Sequence, residues 1–194
     1  MRGPPPGPVG PVDWVRYALH RWPSLRHDGH VKTARARLLG DGQRFRIRSG
    51  SGHAVTVDNA EGDTGARPAE LLLMALATCT AMDVISILRK KRQPVERYEV
   101  SVVGEQRSSH PAVFEQIAVE HVVQGAVEPE ALRRAIELSA TRYCAVSATL
   151  SSGVTRIEHR YRLVADGALQ AADVCSTGPY RPPERIEQHA AVAG

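Results

Sequence analysis

Arg67-Pro68-Ala69-Glu70-Leu71-Leu72-Leu73-Met74-Ala75-Leu76-Ala77-Thr78-Cys79-Thr80-Ala81-Met82-Asp83-Val84 is the stretch that decides the fold. Pro68 suits the first turn of a helix, where the N–H it lacks would have no partner anyway. Good helix formers follow without a break. Arg89-Lys90-Lys91-Arg92 then complements the negative end of the helix dipole, and Pro94 enforces the stop. These signals predict a long helix over residues 68–92. At about 100° per residue, Leu72, Ala75, Leu76, Cys79, Met82, Asp83 and Ser86 share one face, which turns Cys79 toward an apolar interior. The uncharged run, residues 71–82, falls short of the roughly 20 apolar residues that span a bilayer. A buried core helix is the expectation, with no membrane partner.

Outward from this helix the period changes. Arg44-Phe45-Arg46-Ile47-Arg48 and His53-Ala54-Val55-Thr56-Val57 alternate as strands, with Gly40-Asp41-Gly42 and Ser49-Gly50-Ser51-Gly52 as turns. On the C-terminal side, Tyr98-Glu99-Val100-Ser101-Val102-Val103-Gly104 and the run from Phe114 to Val123 alternate as well. A second helix is expected from Glu128 to about Tyr143, with Leu132, Ala135, Ile136 and Leu138 on its apolar stripe. A last strand, residues 154–163, completes an α+β order βββ-α-ββ-α-β with antiparallel sheets and two core helices. The Pro- and Gly-rich residues 1–28, with their basic-aromatic piece from Trp14 to Trp22, are expected to form a flexible extension. Residues 29–165 form the domain. Residues 166–194, which lack a period, are expected to be a second disordered tail, with Cys175 incidental in it.

Composition sets limits on function. The chain has 194 residues, 42 % of them hydrophobic, enough for one domain with a real core. The net charge is +4, but its basic residues are spread over tails, strands and helices, which offers no nucleic-acid surface. With three cysteines and no apolar segment behind Met1-Arg2-Gly3-Pro4, the expectation is a reducing, cytoplasmic compartment. There a disulfide between Cys79 and Cys144 would be transient, catalytic or sensory, rather than structural.

Thiol chemistry is the reading the residues favour, because Cys79 and Cys144 sit in two separately patterned stretches and can meet as attacking and resolving sulfurs. The apolar face around Cys79 and the nearby charge of Asp83 both disfavour a thiolate, so activation requires a cation. A zinc site built from Cys79, Cys144 and a histidine is disfavoured. There is no C-x-x-C pair, and His53, His110, His121 and His159 share no motif. No metal or cofactor is therefore expected. His121 and His159 are read as solvated positions of alternating strands. The glycine pairs precede strands rather than helices, so they form no phosphate loop, and no G-x-S-x-G elbow is present.

The stretch around Cys79 and the run Ile136-Glu137-Leu138-Ser139-Ala140-Thr141-Arg142-Tyr143-Cys144-Ala145-Val146-Ser147-Ala148-Thr149-Leu150 resemble the two cysteine motifs of the OsmC/Ohr family, the osmotically inducible and organic-hydroperoxide-resistance proteins. The resemblance covers residues 31–164. It implies an intertwined homodimer and a peroxidase that uses an external dithiol reductant. In that chemistry Cys79 attacks an organic hydroperoxide and Cys144 resolves the resulting sulfenic acid. The family's peroxidases also carry a glutamate directly after the helix-opening proline, paired with an arginine from the preceding strand or loop. Here Ala69 holds that position and Glu70 follows one residue later, rotated by about 100°. Residues 55–61 offer Asp58 and Glu61 but no arginine, leaving Arg48, Arg67 and Arg142 as substitutes. The pattern is closest to the OsmC-like branch, whose motif reads Pro-x-Glu-Leu-Leu-Leu. Cys79, Cys144 and Glu70 are the implied catalytic residues. The competing function is a non-catalytic dimer of the same fold that binds a small apolar ligand or senses redox state.

Overall fold

The computed structural model describes residues 31–165, 167–178 and 181–185. The expected extension over residues 1–28 lies outside them, as do residues 186–194. By internal contacts the chain divides into two units, residues 1–68 and 69–194.

In the first unit, β1 (Ala34–Leu38), β2 (Phe45–Ser49) and β3 (Ala54–Val57) form the expected antiparallel meander, with Leu38 opposite Phe45 and Ile47 opposite Val55. A polar loop follows, organised by Asp58, whose carboxylate accepts hydrogen bonds from the N–H of Asn59 (2.9 Å) and the hydroxyl of Thr64 (2.5 Å). It is the short-range turn pattern that aspartate favours.

Pro68 opens α1 (Pro68–Lys90), and the rest of the helix belongs to the second unit. There β4 (Arg97–Gln106), β5 (Phe114–Gln124), β6 (Arg156–Ala165), β7 (Ala168–Gly178) and β8 (Arg181–Arg185) form one sheet in sequence order. Two expectations are corrected here. The sheet is mixed rather than antiparallel, because β5 and β6 run parallel, with Val119 opposite His159 and Val123 opposite Leu163. Parallel neighbours require a crossover, and the helical segment between them supplies it. Nor do residues 168–178 belong to a disordered tail: β7 pairs with β6 and buries Val174, Cys175 and Ser176, so Cys175 is a core residue.

The core lies between the sheet and the helices. β5 contributes Ile117, Val119 and Val123, and β6 contributes Ile157, Tyr161 and Leu163. α1 buries Leu76, Thr80, Val84 and Leu88, a stripe with four-residue spacing. By length and composition α1 would also pass as a membrane span, but Val84 and Leu88 pack with Val123 and Leu163, which makes α1 the core helix of this fold. α2 (Pro129–Leu138) lays Leu132, Ala135 and Ile136 into the same cluster. Leu132→Ala is expected to lower the unfolding free energy by about 2–5 kcal/mol in urea titration, the cost of an unfilled core site. Before α2 the chain turns at Gly125 (φ +132°), where a Cβ would lie 2.2 Å from the Pro94 carbonyl oxygen. Only glycine satisfies both demands.

His121 and His159 are not solvated. They are 0 % and 1 % exposed and lie on the buried face of the sheet, their rings stacked 6.2 Å apart. The Tyr98 hydroxyl meets His121 Nδ1 at 2.8 Å, whereas His121 Nε2 and both ring nitrogens of His159 have no hydrogen-bond partner. Burial lowers their pKa values to about 3 for His121, where the His159 charge also contributes, and to about 4 for His159. Both folded values lie below the unfolded value of about 6.5. As pH falls below 6.5, the unfolded chain therefore takes up protons that the native state refuses, and stability drops. Between pH 6.5 and 5 the pair is expected to cost about 3 kcal/mol. Denaturant midpoints measured across that interval check this, and His159→Gln should flatten the profile.

Candidate active site

Cys79 and Asp83 stand one turn apart on α1, so helical geometry places them on the same face. Cys144 lies just past the expected end of the second helix at about Tyr143, but the last turn before it is not α-helical. α2 ends at Leu138, and Ser139–Tyr143 widens into a π-helical turn closed by the Cys144 N–H donating to the Ser139 carbonyl at 2.9 Å. Cys144 itself is extended (φ −72°, ψ 100°) and caps a short third helix, α3 (Ala145–Leu150). Its sulfur accepts the N–H of Ser147 at 3.3 Å. Single π-turns inside helical segments are frequent at functional sites, and this one turns the Cys144 side chain toward α1.

The two sulfurs and a carboxylate oxygen of Asp83 lie within 4.8 Å of one another. Cys144 is 2 % exposed, while Cys79 is only half-buried. Leu76, Phe114, Ile117, Val119 and Ile157 form the apolar floor. Polar support comes from two fully buried hydroxyls. Ser139 Oγ donates to Asp83 Oδ2 at 3.0 Å and lies 3.0 Å from Thr80 Oγ1. Burial pushes the Cys144 thiol up to about 12, with a further upward contribution from its hydrogen bond with Cys79; the N–H groups of Ser147 and Val146 pull the other way. Tyr98 is also raised, by burial first and then by the negative charge of Asp83, which places the phenol within electrostatic reach of this cluster.

The third catalytic candidate, Glu70, is exposed in the first turn of α1. Nine residues separate it from Cys79, about 13.5 Å along the axis and half a revolution around it. Within one chain it stands apart from the sulfur pair. Of the proposed arginine substitutes, Arg142 is exposed, its guanidinium 5.8 Å from the centre of the Tyr143 ring. Arg48 and Arg67 belong to the first unit; Arg48 hydrogen-bonds the Gly52 carbonyl and Arg67 pairs with Asp63. Ser139 and Thr80 were not singled out from the sequence. Their only signal is position, five residues before Cys144 and one after Cys79.

Two free cysteines converging from a core helix and a π-widened helical junction, over one face of a mixed sheet, define a two-cysteine α+β protein. The OsmC family model, described as OsmC-like protein, matches residues 60–160. The chain belongs to this family. Protein YhfA of Escherichia coli K12 is 40 % identical over 126 residues, covering 64 % of this chain and 93 % of that protein. The crystal structure of a hypothetical protein from Aquifex aeolicus VF5 aligns with a TM-score of 0.64 at 30 % identity, over 71 % of this chain and 98 % of that one. A Legionella pneumophila structure described as an organic hydroperoxide resistance protein OsmC aligns with a TM-score of 0.52 at 12 % identity, over 68 % and 96 %, a likeness of fold alone.

Proposed function

We propose that this protein reduces organic hydroperoxides with Cys79 as the attacking sulfur and Cys144 as the resolving one. The observation that carries the reading is the approach of the two sulfurs to within 4.8 Å from separate elements, one sulfur half-exposed and the other buried behind it. Membership of a family that includes hydroperoxide-resistance proteins supports it.

The balance of the reaction is simple. The Cys79 thiolate attacks the peroxide oxygen and the O–O bond breaks. The sulfur takes the terminal hydroxyl and becomes a sulfenic acid, and the other oxygen takes up the proton the thiol released on ionising and leaves as the alcohol. Cys144 then displaces water from that sulfenic acid and forms the disulfide, which an external dithiol reduces to regenerate both thiols. The half-buried position of Cys79 fits attack on an incoming oxidant. The high pKa of Cys144 fits a sulfur held protonated until the sulfenic acid forms beside it.

Leu72 and Met82, expected on the interior face with Cys79, are exposed together with Met74, and this apolar exposure on α1 supports a homodimer that covers it. A cytoplasmic, reducing compartment goes with a Cys79–Cys144 bond that dithiol reopens. Any part for Glu70 in the reaction would come from across that dimer rather than from its own chain. Assay with cumene hydroperoxide and a lipoyl-type dithiol tests the proposal: catalytic alcohol formation supports it, and consumption at the uncatalysed rate contradicts it.

One observation favours the second reading, a redox-sensing or ligand-binding dimer. Asp83 stands beside the sulfurs, and its negative charge opposes a thiolate. A sensor would form the Cys79–Cys144 disulfide once per exposure without turning over with dithiol, and a pure binding module would leave both thiols free.

A further inference from the structure

We propose that Cys79, Asp83 and Cys144 also form a binding site for one thiophilic divalent cation of the zinc class. This goes beyond the peroxidase reading: it uses the same sulfurs but no redox step. The third donor is not a histidine, the ligand sought along the sequence, but the carboxylate of Asp83, which the fold brings to both sulfurs. In a tetrahedral thiolate site the metal lies about 2.3 Å from sulfur and 2.0–2.2 Å from oxygen, which puts neighbouring donors about 3.5–3.8 Å apart. The three donors, within 4.8 Å of one another, reach that spacing by drawing in by about an ångström.

The surroundings already hold the donors in place. Ligating carboxylates are characteristically fixed by a second hydrogen bond. Asp83 Oδ2 receives one from Ser139, which is itself held against Thr80, with both hydroxyls fully buried. The Cys144 sulfur accepts the Ser147 N–H, a bond that stabilises a thiolate. The three donors come from two separately constrained places: two on one turn of α1 and one at the cap after the π-turn. The half-exposed side of Cys79 and Asp83 leaves a fourth position for water. On binding, the two thiol protons are released and the divalent charge faces two thiolates and a carboxylate. It supplies the positive charge that the aspartate otherwise works against. Bound sulfurs cannot also form a disulfide, so the cation and the oxidant compete for one pair.

Cobalt(II), added to the reduced full-length chain without an affinity tag, is the probe. One equivalent should produce an intense sulfur-to-cobalt charge-transfer band and the visible absorption of tetrahedral cobalt. Cys79→Ser and Cys144→Ser should each abolish the charge-transfer band at equimolar cobalt. Asp83→Asn should retain a sulfur band but weaken binding about tenfold or more, and Ser139→Ala should weaken it about 10–100-fold. Far-UV circular dichroism confirms that each variant is folded. Absence of the band in the wild type, or its survival in both serine variants, overturns the proposal. Cobalt binding without peroxide turnover leaves this site standing and removes the peroxidase reading. Turnover without cobalt binding does the reverse.

Discussion

Cys79→Ser abolishes hydroperoxide turnover. In the dithiol-coupled assay the rate is expected to fall by at least about 10³-fold, to the background of hydroperoxide and dithiol alone, as when other covalent catalysts lose their nucleophile. A serine hydroxyl at the same place is far less nucleophilic toward the peroxide oxygen and cannot enter the sulfenic-acid sequence. The effect has to be chemical rather than structural. Cys79 is half-buried at the edge of the apolar cluster, so its replacement should move the denaturation midpoint far less than Leu132→Ala does. Full activity in Cys79→Ser would assign the attack to another sulfur.

Cys144→Ser has a different signature. Attack by Cys79 remains possible, so the first equivalent of hydroperoxide is still consumed and one equivalent of alcohol appears. The sulfenic acid then has no resolving thiol within reach. Excess hydroperoxide drives it to sulfinic and sulfonic acids, which the dithiol does not reverse. The expected record is a single-turnover burst, followed by a mass increase of two or three oxygens confined to the peptide that carries Cys79. Steady turnover in this variant would mean that the external dithiol, rather than Cys144, attacks the sulfenic acid. Cys175 is no substitute: it is buried in β7, with its thiol pushed up to about 12 by burial, and it packs in the other core cluster with Val84, Leu132 and Val174.

Much of this arrangement was readable along the chain, and the failures have identifiable causes. The ends of α1 were marked by Pro68 and by the basic cluster before Pro94, and the observed helix ends within two residues of the expectation. The meander of β1 to β3, the long strands β4 and β5, and β6 followed from alternation alone. The second helix reaches its expected end near Tyr143, but the π-turn over Ser139–Tyr143 and the short helix after Cys144 had no signal, because Ser139 to Leu150 contains neither glycine nor proline. A π-turn is chosen by the packing of the segments on either side rather than by propensity. The parallel pairing of β5 and β6 is a tertiary choice that no short window encodes. β7 escaped notice because its alanines are weak strand formers and its register shifts opposite His159 and Arg160, which spoils the two-residue period.

The buried histidines are the most instructive miss, because the correct signal was present. His121 is in phase with Ile117, Val119 and Val123, and His159 with Ile157, Tyr161 and Leu163. Period placed them inside. Only the polarity of the side chain argued otherwise. Of the candidate site, the sequence supplied both sulfurs and the warning about Asp83. The hydroxyl pair of Ser139 and Thr80 needed the fold, since 59 residues separate them along the chain.

The account depends on the two sulfurs reacting with each other. The most direct measurement treats the fully reduced protein with one equivalent of cumene hydroperoxide, alkylates the remaining thiols, and maps the peptides by mass spectrometry without reduction. A cross-linked peptide joining Cys79 to Cys144, with Cys175 alkylated on denaturation and the bond reopened by dithiol, is the predicted result. Recovery of Cys79 and Cys144 both alkylated, with the hydroperoxide unconsumed, would contradict it.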